Sequence, residues 1–145
     1  MAYHNSRMDT LRTGPDRALT AIDREECLAL LASVPVGQVV FSFRALPEIL
    51  PVNFRVDGAS VVLRVASGSA LARVTHGTVL AFHADRIDEA ARTGWSVTVV
   101  GRVTEVTDED ERARIRALPL ESWMSDARDH FLRIDAERVT GRRLA

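Results

Sequence analysis

The sequence predicts a mainly β protein, an antiparallel barrel with a few short peripheral helices. Several short segments rich in β-branched and aromatic residues follow one another, and tight turns or loops join them, as in "EILPVNFRVDGASVVLRV". Helical patterns occur only near the start and in connections, so the crossover helices that a parallel sheet requires do not recur. At 145 residues the chain has the size of one domain.

The first elements are expected to be a short helix and a strand. Asp23, with Glu26 three residues later, resembles a capping box and predicts a helix from about Arg24 to Ser33. The segment "VPVGQVVFSFR" is β-branched and aromatic without a helical period, which predicts a strand from about Gly37 to Arg44. The letters "ALPE" that follow are expected to turn the chain.

A β-hairpin is predicted next. In residues 50–56 apolar side chains alternate with Pro51, Asn53 and Arg55, which is typical of a half-buried strand. An Asp-Gly pair at positions 57 and 58 ends this strand, because glycine supplies the positive φ that a tight turn demands. The segment "ASVVLRV" is therefore the returning strand.

The second half of the chain is expected to supply the remaining strands. "TVLAFHA" reads as a strand, "DRIDEAAR" as a charged connector, and "GWSVTVVGRVTEV" as the longest strand of the chain. Gly101 within it is expected to mark a bulge or a bend. A polar helix near Asp108, the loop "PLESWMSDARDH" and a last strand or strand pair broken near Ala136 complete the chain.

Composition excludes several classes of protein. The net charge of −1 and the alternation of arginines with acids argue against a nucleic-acid binder, and no apolar run is long enough to cross a bilayer. One cysteine allows no internal disulfide, so we expect a cytoplasmic protein. The four histidines lie in unrelated segments, and we expect no metal site. Residues 1–22 are interpreted as a flexible arm before a domain at residues 23–145.

The connection "ASGSALARVTHG" is a candidate anion site. It leads into a predicted helix of about two turns, with Ser67 or Ser69 as the N-cap. Small residues let backbone N–H groups converge, both serine hydroxyls are hydrogen-bond donors, and Arg64 precedes the loop. An ordinary connection between a strand and a helix has the same pattern, so the loop alone does not decide the matter.

Other polar residues lie near this loop in the predicted hairpin. Asn53 and Arg55 project from one side of a strand, and Arg64 projects from its neighbour. Trp95 offers a surface for stacking, although a single tryptophan is as readily explained as a core residue. The set fits a flat, amphipathic ligand whose tail carries one phosphate.

Three segments carry a resemblance to a known family, namely "ALPEILPVNFRVDGASVVLRVASGSALARV", "VLAFHADRIDEAARTGWSVTVVGRVTEVTD" and "RDHFLRIDAERVTGRRL". In order and spacing they resemble the pyridoxamine 5'-phosphate oxidase-like family of split-barrel flavoproteins, and most closely its small actinobacterial members. The resemblance runs from about Glu25 to Leu144. It implies a six-stranded antiparallel split barrel with Greek-key connections and a homodimer that binds flavin in two clefts between subunits.

The resemblance also implies which residues form the site. One strand of the family lines the isoalloxazine ring, the segment after the next strand holds the ribityl phosphate, and the Gly-Trp-Ser region approaches from the partner subunit. The cofactor-binding residues implied for this chain are Pro51, Val52, Asn53, Arg64, Ala66, Ser67, Ser69, Leu71, Trp95 and Ser96. Trp123 and the segment from Arg128 to His130 lie where the family's variable substrate-side loop sits, so Arg128 and His130 are the candidates for contacting substrate.

One position departs from the family pattern. Relatives commonly carry Gly-Ser-Lys or Gly-Thr-Lys in the phosphate loop, and this chain has Ala70 where the lysine would stand. Loss of a charge-assisted contact to phosphate costs on the order of 1.5 to 3 kcal/mol. Arg64 or Arg73 is available to compensate. The expected cofactor is FMN, and the alternatives are a deazaflavin or no cofactor.

The function expected on these grounds is a flavin-dependent oxidoreductase that passes a hydride or electrons to a small organic acceptor. Oxidation of pyridoxamine phosphate itself is disfavoured, because the chain is short and shows no convincing match for that enzyme's substrate-phosphate residues. The alternative is a flavin-binding, storage or redox-sensing module with no turnover. A homodimer is expected in either case.

Overall fold

The computed structural model describes residues 19–66, 68–74, 76–117 and 130–144. The described strands are β1 (Leu19–Ile22), β2 (Val36–Phe43), β3 (Leu46–Asp57), β4 (Ser60–Val65), β5 (Val79–Asp88), β6 (Thr93–Glu105), β7 (His130–Asp135) and β8 (Arg138–Leu144). The helices are α1 (Arg24–Leu31) and α2 (Glu109–Ala117), and Leu71–Arg73 form one turn of 3₁₀ helix.

Six of these strands close into an antiparallel barrel, which confirms the predicted fold class. The pairs β2–β3, β3–β4, β4–β7, β7–β6, β6–β5 and β5–β2 form a continuous ring. β5 lies beside β2, so β2 to β5 take the spatial order 4-1-2-3 of a Greek key. β8 joins β6 outside the ring, and β1 pairs with β8.

The long strand β6 changes its neighbour at Gly101, where the sequence indicated a bend. Residues 94–100 pair with β8, whereas residues 103–105 pair with β7. A Cβ atom on Gly101 would lie 1.6 Å from the carbonyl oxygen of Asp135. The end of β7 can therefore approach β6 this closely only because position 101 has no side chain.

The barrel interior is filled by the inward faces of the strands. Phe54 and Phe82 meet near its centre, with ring centroids 4.6 Å apart. α1 packs Cys27 and Leu31 against the barrel, and a Cβ atom on Gly141 would lie 2.4 Å from the Cys27 sulfur. Burial raises the pKa of the Cys27 thiol. Cys27 therefore serves as a small core residue.

α2 covers the outer face of β4 and β7. Its Ile115 is fully buried in a second, smaller cluster with Val62, Val106 and Phe131. An ion-pair network borders this cluster, in which Asp57 accepts hydrogen bonds from Arg114 at 2.9 and 3.1 Å and from Arg133 at 3.0 Å. This face of the barrel is thus occupied by the chain itself.

Two segments that were not predicted as strands take part in strand pairing. β1, in the segment interpreted as an arm, pairs with residues 141–144 of β8, and residues 1–18 lie outside the described part. β5 continues to Asp88 because it pairs with β6 throughout "DRID", whose exposed charges belong to a solvated strand end. The remaining turn is closed by the Asp88 side chain, which accepts from the Ala91 N–H at 3.0 Å.

The turn between β2 and β3 also differs from the prediction. It consists of Arg44 and Ala45, whose φ values are 53° and 65°, and β3 already begins at Leu46. Two-residue hairpin turns of this kind favour Gly or Asn, because other residues rarely adopt positive φ. The sequence "ALPE" therefore contained no reliable sign of where the turn lies.

No helix in the described ranges is long and apolar enough to cross a membrane.

The Gly101→Ala variant is expected to lower the free energy of unfolding by about 3 kcal/mol, because the new methyl group overlaps backbone rather than a movable side chain. Urea denaturation measures the change. Gly58→Ala is the control, since Gly58 has a φ of 59° but open space around it. That control should cost about 1 to 2 kcal/mol. Equal losses in the two variants would contradict the close approach of β7.

The stability of the protein should depend on the ionisation of Asp57. Hydrogen bonds from Arg114 hold the pKa of Asp57 below its ordinary value, with a further contribution from Arg133. A lowered carboxyl pKa stabilises the fold above the pKa of the unfolded chain, near 4, and this stability is lost as the pH falls through the folded value.

The free energy of unfolding of Asp57→Asn should therefore vary less between pH 5 and about 2.5 than that of the wild type. Urea titrations at a series of pH values give both curves, and Asp110→Asn, at an exposed helix position, controls for removal of one carboxylate. Parallel curves for the wild type and Asp57→Asn would refute the assignment.

Candidate functional site

A pocket opens where β3 and β4 separate. Their pairing ends at Phe54 and Leu63, after which residues 50–53 stay with β2 and residues 64–65 stay with β7. The gap between the two diverging segments has a volume of about 310 Å³. It is lined by Val36, Leu50, Pro51, Val52, Asn53, Arg64, Val65, Ala66, Ser69 and Leu71.

The two sides of this pocket differ in chemistry. The β3 side is mainly aliphatic and carries one buried polar residue, Asn53, which is 9% exposed. The β4 side carries Arg64 and Ser69, and Leu71, which is 1% exposed, belongs to the connection after β4. An apolar cavity with a few convergent polar groups is typical of a small-molecule site.

The connection from β4 to β5 builds the polar side. The predicted helix of two turns is a single 3₁₀ turn, so a helix dipole contributes little here. The N-cap of this turn is Ala70 rather than Ser69, although the Ser69 Oγ accepts from the Ala72 N–H at 3.2 Å. The φ of Gly68 is 84°. The groups at this loop that can donate hydrogen bonds to an anion are the guanidinium of Arg64 and local hydroxyl and N–H groups.

A second, smaller gap lies beside the first, where β2 and β5 separate after the Gln38–His83 pair. Its volume is about 160 Å³, and Val36 and Pro51 line both pockets. His83 Nε2 lies 2.9 Å from the Ser96 hydroxyl and 3.8 Å from an Asp85 carboxylate oxygen. The sequence did not indicate Gln38, His83 or Asp85 as site residues.

Comparison with known proteins gives the family of the chain. The family model described as pyridoxamine 5'-phosphate oxidase matches residues 23–143. The chain belongs to this family. Rv0080, an uncharacterized protein of Mycobacterium tuberculosis, is 41% identical over 133 residues, which cover 88% of this chain and 87% of that protein.

Several solved structures of other proteins have the same fold as this chain. An FAD binding protein from Mycobacterium smegmatis is 32% identical with a TM-score of 0.75, over 88% of this chain and 98% of its own. A conserved protein of unknown function from Corynebacterium diphtheriae, DIP1874, is also 32% identical, with a TM-score of 0.74 and the same coverage. An FAD-binding protein from Mesorhizobium loti, 21% identical with a TM-score of 0.72 over 89% and 98% of the two chains, shows the same fold.

Most of the cofactor residues implied by the family resemblance meet at the first pocket. The fold brings together Pro51, Val52, Asn53, Arg64, Ala66, Ser69 and Leu71. Ser67 lies outside the described residues. The sequence did not indicate Val36, which reaches the pocket because it pairs with Asn53 across β2 and β3. Strand register of this kind has no local sequence signal.

Trp95 and Ser96 do not line the first pocket as far as the described residues define it. Trp95 is 9% exposed and packs in the core cluster, so its side chain faces the barrel. Ser96 faces outward beside His83. Their predicted approach to the cofactor of a partner subunit stays a prediction.

Only part of the predicted substrate side can be placed. His130 begins β7, where its backbone pairs with Val65 of the first pocket, and its ring donates to Glu105 at 2.8 Å. Arg128 and Trp123 lie outside the described residues. In the ranges that the structure describes, no three His, Cys, Asp or Glu side chains are grouped to hold a metal ion.

Proposed function

We propose that this protein is a flavin-dependent oxidoreductase that binds FMN and passes a hydride or electrons to a small organic acceptor. The observation that carries the proposal is the first pocket, which joins an aliphatic wall on β3 to Arg64 and Ser69 on the β4 side. Membership of the pyridoxamine 5'-phosphate oxidase family and the similarity to an FAD binding protein of M. smegmatis support a flavin.

The residues present suit the two ends of FMN. The aliphatic side chains of Leu50 and Val52 provide a surface for a flat ring, and Arg64 and Ser69 provide donors for a phosphate. A volume of about 310 Å³ is at the small end for a ligand site, so part of the ring would extend beyond this pocket. The flavin would supply the redox chemistry, while these residues orient it and exclude water.

The type of flavin depends on the phosphate side. Ala70 places no charge where relatives commonly carry lysine, which leaves Arg64 as the cation that lines the pocket within the described residues. FAD is the second candidate, because the M. smegmatis neighbour is an FAD binding protein. A deazaflavin is the third.

We also propose that two copies pair through the uncovered outer face of the sheet. Register places an aliphatic row across four strands of that face, formed by Ile49, Val40, Ala81 and Val100. Ile49 on this face is 61% exposed. α2 does not cover it, because α2 packs on the opposite side of the barrel. Ser96 and His83 belong to the same face. A two-fold pairing would bring these polar residues near the pocket of the partner.

A binding or storage module without turnover is the second candidate function. Arg64 is the one ionisable side chain among the residues that line the first pocket within the described part of the chain. An arginine stays protonated at neutral pH and cannot act as a general base. Within the described residues this pocket therefore has no general acid or base, and reaction would depend on the flavin and on residues elsewhere.

Titration of the purified protein with FMN, FAD and a deazaflavin tests the proposal. We expect FMN to bind at micromolar concentration, and the yellow complex to bleach anaerobically with a reduced nicotinamide and to recover with an acceptor. A complex that binds FMN but does not bleach would favour the storage module. A protein that takes up none of the three flavins would overturn flavin binding itself.

The Arg64→Ala variant should bind FMN about tenfold to a hundredfold more weakly than the wild type, because a charge-assisted contact to phosphate is lost. Riboflavin, which lacks the phosphate, should bind both proteins equally. Arg86→Ala is the matched control, since Arg86 is exposed on β5 and does not line either pocket. A loss of riboflavin affinity in Arg64→Ala equal to that of FMN would contradict the phosphate role.

The Ala81→Arg variant should be monomeric, because it places a charge in the centre of the aliphatic row. Light scattering should report twice the chain mass for the wild type and the single chain mass for Ala81→Arg. Asp110→Arg on α2 is the control and should remain a dimer. A monomeric wild type, or a dimeric Ala81→Arg, would overturn pairing through this face.

A further inference from the structure

The second pocket is an open cleft between two separating strands. β2 and β5 pair from Val40–Ala81 to Gln38–His83 and then separate, which leaves the gap beside Gly37 and Asp85. Gly37 has no room for a side chain, because a Cβ atom there would lie 2.3 Å from the Phe82 ring. The backbone of β2 is therefore held against β5, and the position of the cavity follows from that contact.

The groups at this pocket select a particular ligand chemistry. The Gln38 side-chain amide and the His83 ring provide hydrogen-bond donors, and the Ser96 hydroxyl holds the ring at 2.9 Å. Asp85 is the single carboxylate that lines the pocket, and no arginine lines it in the described part of the chain. A phosphate or carboxylate would face the like charge of Asp85, and His83 is the one lining residue of the described part that can carry a positive charge. An uncharged group that both donates and accepts hydrogen bonds fits these partners.

The size of the pocket indicates that only the end of a ligand enters it. Small-molecule sites usually measure 300 Å³ or more, whereas this cavity measures about 160 Å³. Val36 and Pro51 line both this cavity and the first pocket, so one ligand can reach across the two. The polar end of that ligand would meet Asp85 and Gln38.

We propose that the second pocket is a subsite for an amide or imide group. Asp85 accepts the N–H of this group, and the Gln38 side chain donates to its carbonyl oxygen, while His83, which Ser96 contacts, borders the cavity. The inference rests on the proposed function, since two molecules of that function carry such a group: the imide edge of a flavin ring and the carboxamide of a nicotinamide donor. The shared chemistry is an N–H beside a C=O.

Two variants test the subsite, Asp85→Ala and Gln38→Ala, because each removes one partner on a different strand. Both side chains are exposed in the single chain and lie on the face proposed for pairing, so thermal unfolding verifies the fold and light scattering verifies the assembly of each variant. Asp110→Ala on α2 is the matched control. The probes are FMN with the free protein and nicotinamide with the FMN-loaded protein. Affinity is measured by calorimetry, and the absorption spectrum of the bound flavin is recorded as a second readout.

We expect each variant to lose about tenfold in affinity, equivalent to 1.4 kcal/mol, for one of the two probes, and the control to lose none. Loss for FMN, with a shift of its absorption bands, assigns the subsite to the flavin imide. Loss for nicotinamide alone assigns it to the donor carboxamide. Wild-type affinity for both probes in both variants would overturn the subsite while leaving flavin binding intact. A wild type that binds no flavin would overturn the proposed function and this inference together.

Discussion

The barrel closes because two long strands each change neighbour along their length. β6 leaves β8 and joins β7 around Gly101, and β3 passes from β2 to β4 between Asn53 and Phe54. The first change depends on a glycine, since any side chain at position 101 would strike the carbonyl of Asp135. The second leaves β3 and β4 to diverge, and the first pocket lies in the resulting gap.

The candidate site therefore results from the way in which the barrel closes. Both pockets occur where a strand pair ends, one beyond Phe54–Leu63 and the other beyond Gln38–His83. A strand edge without a neighbour offers backbone and side-chain groups that a ligand can use. In the first pocket these are joined by the short connection after β4, which supplies Ser69 and Leu71. Closure of the barrel thus leaves two adjoining cavities of different polarity.

Prediction from sequence was most accurate where a local pattern carried the information. Alternation in residues 50–56 and the Asp-Gly turn identified the hairpin of β3 and β4, and the family resemblance named seven residues of the first pocket. It was weakest where a boundary depends on pairing. The turn at Arg44 and Ala45 uses two residues with positive φ that sequence statistics disfavour, and the charged end of β5 resembled a loop.

The sequence by itself determined the mainly β class, the capped helix at Asp23, the break in regular pairing at Gly101 and the small-residue connection beside Arg64, because each is encoded by neighbouring residues. Only the tertiary structure decided that Val36 lies beside Asn53 and that His83 meets Ser96. Those contacts join residues on different strands, and register depends on how the whole barrel closes. Closure of the barrel also packs Trp95 into the core, whereas the alternation of its strand does not show which of the two faces is buried.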